Sequence, residues 1–537
     1  MKKDAYSLPL RSTPSGPQIE TRTLYVEEWL DSLPYVDFKK TSQLLFEATK
    51  ATNEQALKPS ARLELVQLYN RPYQYYIDSQ IKAGSQHTLQ SIDTMQEQTQ
   101  VLKRIAVNLG LACKLSADEL LNKKTLWGQS KPPLLNLLLS LNYLTHALIF
   151  SFLEYAPAPK NVWREINFIY GFAESLGQEN ASLLTSKSQV ANQSTTIAQA
   201  YKRICLSALA DPHHLPYGAI WEIYEQLNSW ANLVTLNKFS LTDDPSCQFV
   251  MKLDSDSSPL PYAKFNTANA DDKNRVLDGT NLIKQIQTHQ SSLESGSSLD
   301  KTVLLSPYFA KLILTHMSRA WGLPAKRINQ RKESTGSIDM ACGLNAAYYL
   351  LNHEQEFHEP ASTSDAGIHG EDPTLHRHTD ITPRENYRVD KWNLVDQSAR
   401  GFAVIKNDRP NYIVRVGDLI IISVKSPSKK WAVGVIRWLM IRQGQIYKIG
   451  VQILSADPKP VAVRACNGST QDTRYRRGLL LRDENNRNSI SLITSRGLYI
   501  SKRDMEVVEE GKVLLYRAIA LPESTTGFEQ LVLEPIG

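Results

Sequence analysis

The stretch of sequence that decides the fold is residues 392–406, W-N-L-V-D-Q-S-A-R-G-F-A-V-I-K. Two short apolar runs flank a polar centre, a pattern that predicts two strands joined by a tight turn. The centre carries Asp396, Ser398 and Gly401 in a D-x-S-x-x-G pattern. Glycine adopts a positive φ at low cost, so we expect Gly401 to serve the turn in that way. Taken alone, the pattern is also typical of an ordinary hairpin built from common turn formers.

The polar side chains of this turn also suit a ligand. A carboxylate accepts two hydrogen bonds at once, so Asp396 matches the N1–H and N2–H₂ edge of a guanine. Ser398 would present a hydroxyl from the same edge of the turn. The residues therefore favour a base-reading site, provided that the rest of the chain supports one.

The C-terminal half of the chain is rich in short strand-like runs. Their close spacing predicts a small antiparallel barrel over residues 322–465. A β-rich extension over residues 466–537 follows, which would either enlarge the barrel or form a second one. The predicted strands are residues 337–342, 412–416, 419–424, 431–441, 446–454 and 460–465, then 478–481, 489–494, 497–500, 513–518 and 531–533.

The N-terminal half has a helical pattern. After a flexible tail over residues 1–20, apolar residues recur at helical spacing through residues 21–245, as in Trp163, Ile166 and Tyr170. Helical hairpins without a fixed repeat are the expected arrangement. Residues 246–321 form a connecting α/β module, with helices expected at 275–289 and 304–321. The fold class is thus α+β and multidomain.

One leucine-rich stretch, residues 133–153, is long enough to cross a bilayer. It carries Asn136, Asn142 and His146 along its length. We therefore expect a buried central helix of the helical domain and no membrane span.

Composition narrows the class of protein. The 537 residues allow two to four domains, and a formal charge of +6 permits anionic ligands without demanding nucleic acid. The 5 cysteines form no C-x-x-C pair, which argues against a zinc ribbon and a disulfide framework. A cytoplasmic location is expected, since Lys2 and Lys3 are not followed by an apolar signal segment.

A pair of arginines precedes the first predicted strand of the barrel. Arg327 and Arg331 form an R-x-x-x-R pattern. Two guanidinium groups on a loop can hold phosphates bidentately and stack on purine faces. This spacing also occurs by chance in many proteins, so the pattern gains weight only from its neighbours.

Those neighbours give the chain a family likeness. R-x-x-x-R, a strand, D-x-S-x-x-G at a turn, and then a barrel with Gly417-Asp418 and V-G-V-I-R-W at 433–438 resemble the PilZ domain family. The long helical region before the barrel is similar to multidomain members of that family.

The resemblance implies a bacterial receptor for cyclic di-GMP. On that likeness Arg327 and Arg331 would bind the ligand phosphates and stack on guanine. Asp396, Ser398 and Gly401 would read a guanine edge. The resemblance further implies that no cofactor is needed besides the ligand.

The chain departs from compact PilZ domains in the distance between the two motifs. Arg331 and Asp396 are separated by the 64 residues 332–395, because of an insertion at 344–383. A second R-x-x-x-R pair, Arg384 and Arg388, lies directly before the turn motif. Only one strand fits between Arg388 and Asp396, whereas the family order needs two. We therefore favour Arg327 and Arg331, with Arg384 and Arg388 as an auxiliary or alternative pair.

The insertion also holds five histidines, but their spacing does not suit a metal site. His353 and His358 are five residues apart, whereas the helical zinc motif needs four. A disordered polar linker is the better interpretation of this segment. The remaining histidines of the insertion are His369, His376 and His378.

Catalysis finds little support in the sequence. The chain contains no P-loop, no G-x-G-x-x-G at a strand–helix junction, no G-x-S-x-G and no H-E-x-x-H. We therefore expect a binding protein and not an enzyme.

Three interpretations stay open at this point. The first is a cyclic di-GMP effector whose helical region engages a protein partner. The second is an interaction scaffold whose barrel has lost nucleotide binding, for which the long insertion is the motive. The third and weakest is a single-stranded nucleic-acid binder that uses the arginines at 474, 476, 477 and 482.

Overall fold

The computed structural model of the chain describes residues 8, 19–85, 92–122, 132–183, 196–307, 309–322, 331–360, 387–424, 430–466, 474–482 and 490–536. Its internal contacts divide the chain into two compact units, Met1–Lys326 and Arg327–Gly537. Among the described residues, the N-terminal unit contains ten α-helices and one small sheet, and the C-terminal unit contains two barrels and one α-helix. The predicted helical region followed by an antiparallel barrel and a β-rich extension is confirmed.

The first unit begins with helices whose apolar faces meet in one core. They are α1 (Thr23–Asp31), α2 (Phe38–Glu54), α3 (Pro59–Ser85), α4 (Ile92–Asn122), α5 (Leu134–Leu153), α6 (Val162–Ser175), α7 (Ile197–Leu209) and α8 (Ala219–Trp230). The predicted inward faces are confirmed for α6, in which Trp163, Ile166 and Tyr170 are buried. Amphipathic periodicity thus fixes which side of these helices enters the core.

Helix α5 forms the centre of this core. Among the described residues it is the one helix long and apolar enough to cross a membrane, and 89% of its most apolar window is buried inside the protein. Its polar residues have internal partners: Asn136 donates to Ser116 at 2.8 Å, and His146 bonds the Tyr73 hydroxyl at 3.1 Å. Burial lowers the pKa of His146 to about 3, so that imidazole is neutral in the folded core. The expectation of a buried core helix is confirmed.

The connecting module lies in the same unit as the helices. Its four-stranded antiparallel sheet has the order β1-β4-β2-β3 and is followed by two helices. The prediction of a helix over residues 275–289 is wrong at its start, because the first of these residues extend the sheet and the helix begins at Thr280. The elements are β1 (Thr235–Lys238), β2 (Gln248–Lys252), β3 (Leu260–Pro261), β4 (Asn274–Asp278), α9 (Thr280–Glu294) and α10 (Ala310–Trp321).

The first barrel of the second unit is built from antiparallel strands. They are β5 (Lys332–Glu333), β6 (Ser337–Cys342), β7 (Asp390–Ser398), β8 (Gly401–Lys406), β9 (Leu419–Val424), β10 (Lys430–Arg442) and β11 (Ile446–Ser455). Their order is β5-β7-β6-β9-β10-β11-β8, and a further pairing of β7 with β8 closes the ring. Closure leaves the short strand β5 outside the ring, on β7.

The prediction of a strand over residues 412–416 is wrong. That segment pairs in no ladder, and its tyrosine holds it against β6 and β7. The Tyr412 hydroxyl donates to the Met340 carbonyl at 3.0 Å and accepts from the Trp392 indole at 3.0 Å. The aromatic and β-branched residues that suggested a strand serve instead to fasten a loop.

The second barrel is closed and six-stranded, in the order β12-β13-β14-β17-β16-β15. The β-rich extension therefore forms a barrel of its own, and residues 459–465 are its first strand. Residues 497–500 form no strand, and β15 has no counterpart among the predicted strands. The elements are β12 (Lys459–Ala465), β13 (Arg476–Arg482), β14 (Ile490–Thr494), β15 (Asp504–Glu509), β16 (Lys512–Ser524) and β17 (Glu529–Pro535).

The two barrels pack against each other through a shared apolar cluster. Helix α11 (Leu344–Leu351), which begins the insertion, contributes Leu344 and Ala347. The outer face of the first barrel contributes Ile421 and Val435, and the second barrel contributes Phe528. This packing covers one side of the first barrel and leaves the side that carries the D-x-S-x-x-G turn outside the cluster.

Candidate ligand site on the first barrel

The D-x-S-x-x-G pattern forms the tight hairpin between β7 and β8, as the sequence predicts. Ser398 and Gly401 are the last paired residues before the turn, which leaves Ala399 and Arg400 as its two central residues. The Ser398 hydroxyl donates to the Gly401 carbonyl at 3.1 Å. Ser398 therefore closes the turn on itself.

Gly401 has a different role from the expected one. It is absent from the glycines with positive φ, so the turn does not need its conformational freedom. A Cβ at this position would instead lie 2.2 Å from the backbone carbonyl oxygen of Val451 on β11. The glycine is required because β11 approaches closely there.

Asp396 faces one of the predicted arginines. Strand β5 pairs with β7 so that Glu333 lies opposite Asp396, and Arg331 comes directly before that strand. Nη1 of Arg331 donates to both carboxylate oxygens, at 3.1 and 3.3 Å. The side chains are 39% and 21% exposed, so a ligand in solvent can reach both. The structure thus brings together two of the five favoured residues from opposite ends of the insertion.

The second arginine pair differs in position. Arg388 precedes β7, whereas Asp396 lies near the other end of that strand. At about 3.3 Å per residue, the eight-residue interval places their backbones on the order of 25 Å apart. Arg327 and Arg384 lie outside the described residues, so the geometry bears on one arginine of each pair.

The cross-strand register places four residues in one row beside the turn. Asp396 lies opposite Ala403, Ala403 opposite Gly450, and Gly450 opposite Trp438. Directly opposed residues share a face of the sheet, so the row has small residues in its middle. A Cβ on Gly450 would lie 1.8 Å from Nε1 of Trp438, so the indole rests over that glycine. The result is a shallow floor bounded by a carboxylate and an indole.

Arg437 lies at the edge of this face and is tied to the second barrel. The ladder between β10 and β11 shifts register between Ile436 and Trp438, which places Arg437 in a bulge. Its Nε donates to Oε1 of Gln452 at 2.8 Å. Its Nη1 and Nη2 donate to the two carboxylate oxygens of Glu523 on β16, at 2.5 and 2.9 Å. The V-G-V-I-R-W pattern does not predict these contacts, because no local pattern encodes a partner 86 residues away.

Two family models match long parts of this chain. A family model described as the N-terminal domain of the cyclic-di-GMP receptor FimW matches residues 25–242. One described as the middle PilZ domain of that receptor matches residues 248–382 and 362–460. The chain belongs to the PilZ-domain family. Strands β13–β17 of the second barrel lie beyond both matched ranges.

The PilZ assignment is supported by a relative of known annotation. The chain is 21% identical, over 510 residues, to the protein named Cyclic-di-GMP receptor FimW in Pseudomonas aeruginosa (strain PAO1). The similarity covers 85% of this chain and 81% of the relative. A receptor is a binding protein and not an enzyme, which confirms the expectation drawn from the missing catalytic motifs.

The Gly-Asp pair of the PilZ barrel has a structural role. Gly417 adopts a φ of 92°, a conformation that suits glycine. The Asp418 carboxylate accepts from the Arg415 backbone N–H at 2.8 Å and is buried, which raises its pKa to about 6. Asp418 lies where the two barrels meet, with its Oδ1 4.0 Å from where a Cβ on Gly527 would lie.

The histidines of the PilZ insertion form no metal centre among the described residues. Within those residues there is no group of three histidine, cysteine, aspartate or glutamate side chains arranged to hold a metal ion. His353 and His358 belong to that described set. His369, His376 and His378 lie outside it.

Proposed function

We propose that this chain is a cytoplasmic effector that binds cyclic di-GMP at the β7–β8 turn of its PilZ barrel. The observation that carries the proposal is the meeting of Asp396 and Arg331 on an accessible face, across 64 intervening residues. An acidic hydrogen-bond acceptor beside a guanidinium suits a ligand that combines guanine edges with phosphates. All described cysteines are free, in keeping with a reducing compartment.

Each residue has a defined part in this proposal. Asp396 accepts from the N1–H and N2–H₂ groups of a guanine, and the Ser398 hydroxyl adds a hydrogen bond. Gly401 keeps β11 close enough to hold the turn rigid. Arg331, with Arg327 on the segment before it, binds the phosphates. Arg384 and Arg388 would act only as auxiliary contacts.

Binding requires that the Arg331–Asp396 ion pair opens. An exposed pair of this kind contributes about 0–1 kcal/mol to stability, so opening it costs little. Micromolar binding corresponds to about 8 kcal/mol, which several charge-assisted contacts and stacking can supply. The pair therefore holds the two side chains in place without preventing the ligand from entering.

Calorimetric titration of the full chain with cyclic di-GMP tests the proposal. We expect Arg331→Ala to weaken binding about tenfold, the effect of losing one charge-assisted contact. Arg388→Ala is the matched control, because it removes an arginine that lies before β7, at the end of that strand away from Asp396. Equal losses in the two variants would assign the site to the wrong arginine pair.

The helical unit is the proposed contact for a protein partner. Several of its large apolar side chains are exposed: Leu24, Tyr25, Val36, Leu44 and Tyr75. Exposed aromatic and aliphatic groups are common at protein interfaces. Crosslinking of the full chain in cells, with and without Val36→Glu, tests this assignment. A partner captured equally by both proteins would show that this surface is not used.

The scaffold alternative keeps one observation in its favour, the long insertion between the two motifs. It predicts partner capture that does not depend on cyclic di-GMP. The nucleic-acid alternative has less support, because three of the four arginines that suggested it donate hydrogen bonds within the protein, with Arg476 donating to the Arg496 carbonyl at 3.4 Å. Arg482 forms a bidentate pair with Glu509, and Arg477 donates to Asn345 at 3.3 Å.

A further inference from the structure

We propose that Arg437 is a third arginine of the nucleotide site, and that the anionic ligand competes with Glu523 of the second barrel for it. This inference rests on the proposed binding of cyclic di-GMP at the Asp396 turn. It adds a route by which the ligand changes the attachment of the second barrel to the first.

Gln452 lies beside the candidate site. In the ladder between β8 and β11, Gln452 lies opposite Gly401, and Ala403 two residues further on lies opposite Asp396. Alternate residues of a strand share a face, so the Gln452 and Asp396 side chains project from the same side of the sheet. Gln452 therefore borders the candidate site at the glycine end of the turn.

The Arg437 side chain points toward Gln452. An ordinary position on β10 would point either into the barrel or straight out, but a bulge reorients the side chain it carries. Arg437 occupies the bulge and reaches Oε1 of Gln452 at 2.8 Å. Gln452 lies opposite Gly401 on the neighbouring strand, and neighbouring strands are about 5 Å apart. A phosphate above Gly401 would therefore lie about one strand spacing from Gln452, to which Arg437 is hydrogen-bonded.

The Arg437 guanidinium is paired with Glu523. The two Nη atoms donate to the two carboxylate oxygens in the bidentate geometry that guanidinium also uses for phosphate. That edge of the group binds one anion at a time. The Arg437 side chain is 38% exposed and Glu523 is 17% exposed, so an anion from solvent can reach the arginine while the carboxylate lies deeper.

Glu523 lies close in sequence to a contact between the two barrels. It is followed by the β16–β17 hairpin, whose Thr525 packs against Gly417 of the first barrel. A Cβ on Gly417 would lie 3.4 Å from the Thr525 Cβ. Transfer of Arg437 from Glu523 to a phosphate therefore removes a charged link beside this contact. The hairpin is the element whose attachment would respond to the ligand.

Competition predicts opposite effects for the two partners. Arg437→Gln should weaken cyclic di-GMP binding about tenfold, because a charge-assisted contact is lost. Glu523→Gln should strengthen it about threefold, because the competing anion is gone and coupling between sites is reciprocal. Glu509→Gln is the matched control, since it breaks another bidentate arginine pair of the second barrel and should leave affinity unchanged.

Titration calorimetry on the full-length wild type and these three variants measures the affinities. A structural role for the Arg437–Glu523 pair predicts that both variants weaken binding or that neither changes it, and either result overturns the inference. Wild-type binding with such a result leaves the proposed function intact. Absence of wild-type binding overturns the proposed function and this inference together.

Hydrogen exchange gives an independent readout in the unaltered protein. Saturating cyclic di-GMP should increase exchange of the amides in residues 523–529, because their charged link to the first barrel is released. Protection or no change in that segment, while the Asp396 turn becomes protected, would show that the ligand binds without displacing Glu523.

Discussion

The two barrels of the C-terminal unit share an architecture and use their charged residues differently. In the second barrel, arginines and carboxylates pair across neighbouring strands, as Arg464 does with Glu506 and Arg517 with Asp504. In the first barrel, Arg331 reaches Asp396 from the short strand outside the ring. Charges that pair within a closed ladder stabilise the ladder. Charges that meet at a turn, on a face floored by small residues, are available to a ligand.

One glycine in each barrel shows a further difference, in the atoms that surround it. Gly401 of the first barrel is required by the backbone of β11, at 2.2 Å from where a Cβ would lie. A Cβ on Gly478 of the second barrel would meet two side-chain methyl groups first, Leu492 Cδ1 at 3.0 Å and Val463 Cγ1 at 3.2 Å, and the Ile493 carbonyl oxygen at 3.3 Å. Backbone atoms of a closed sheet cannot move aside, whereas a leucine can change its rotamer. The first barrel therefore depends on the geometry of one turn.

The largest expected effect is therefore a contrast between these two glycines. Gly401→Ala should destabilise the second unit by about 3 kcal/mol or more, the upper part of the range for overpacked sites. Gly478→Ala should cost about 1 kcal/mol, because neighbouring methyl groups can yield. Denaturant unfolding of both variants measures the difference. Equal losses would show that the close approach of β11 to the turn does not matter.

A second contrast concerns two aspartates whose pKa values move in opposite directions. Burial raises the pKa of Asp418 to about 6, from an ordinary 3.8. The pairing with Arg517 lowers the pKa of Asp504. The folded state therefore retains a proton on Asp418 that the unfolded state releases, so this group's contribution to stability falls as pH rises from about 4 to about 6. Asp504 contributes stability above its ordinary pKa and loses it as pH falls.

Asparagine substitutions should separate the two aspartates. Relative to wild type, Asp418→Asn should gain stability on the order of 2 kcal/mol at neutral pH and none near pH 4. Asp504→Asn should lose stability at neutral pH and lose none in strong acid. Unfolding free energies measured across this pH range decide the matter. A gain for Asp418→Asn that does not depend on pH would rule out the buried charge as its cause.

The smallest expected effects are changes in the free energy of unfolding when one exposed ion pair of each barrel is broken. Arg331→Gln should change the free energy of unfolding by less than about 0.5 kcal/mol, since an exposed ion pair contributes little. Glu509→Gln should cost about 1 kcal/mol, because its pair with Arg482 is bidentate. Thermal unfolding without ligand measures both changes. A large loss for Arg331→Gln would make that pair a structural one.

Local patterns predicted much of this architecture. Helical periodicity placed Trp163, Ile166 and Tyr170 in the core, and alternation placed β6 and β9 at residues that the structure confirms. The hairpin at residues 396–401 was also predictable, because turn chemistry is local. Residues 275–289 have both a helical and a strand pattern. The first of them form a strand because they pair with β2.

The sequence patterns do not predict contacts between residues that are far apart in the chain. The overlap of Trp438 with Gly450 and the bond from Arg437 to Glu523 depend on register between strands that pair only after the barrels close. The role of Gly401 was mistaken for the same reason, since its constraint comes from Val451 on another strand. The meeting of Arg331 with Asp396 was foreseen only through the family resemblance.

The central claim is that the Asp396 turn binds cyclic di-GMP. Its most direct test is a calorimetric titration of the full chain with cyclic di-GMP, repeated with Asp396→Asn, which keeps the size of the side chain and removes its charge. The claim predicts micromolar or tighter binding to the wild type and a loss of about a hundredfold in the variant, because a carboxylate accepts two guanine hydrogen bonds that an amide cannot both accept. No binding by the wild type, or equal binding by both proteins, would contradict it.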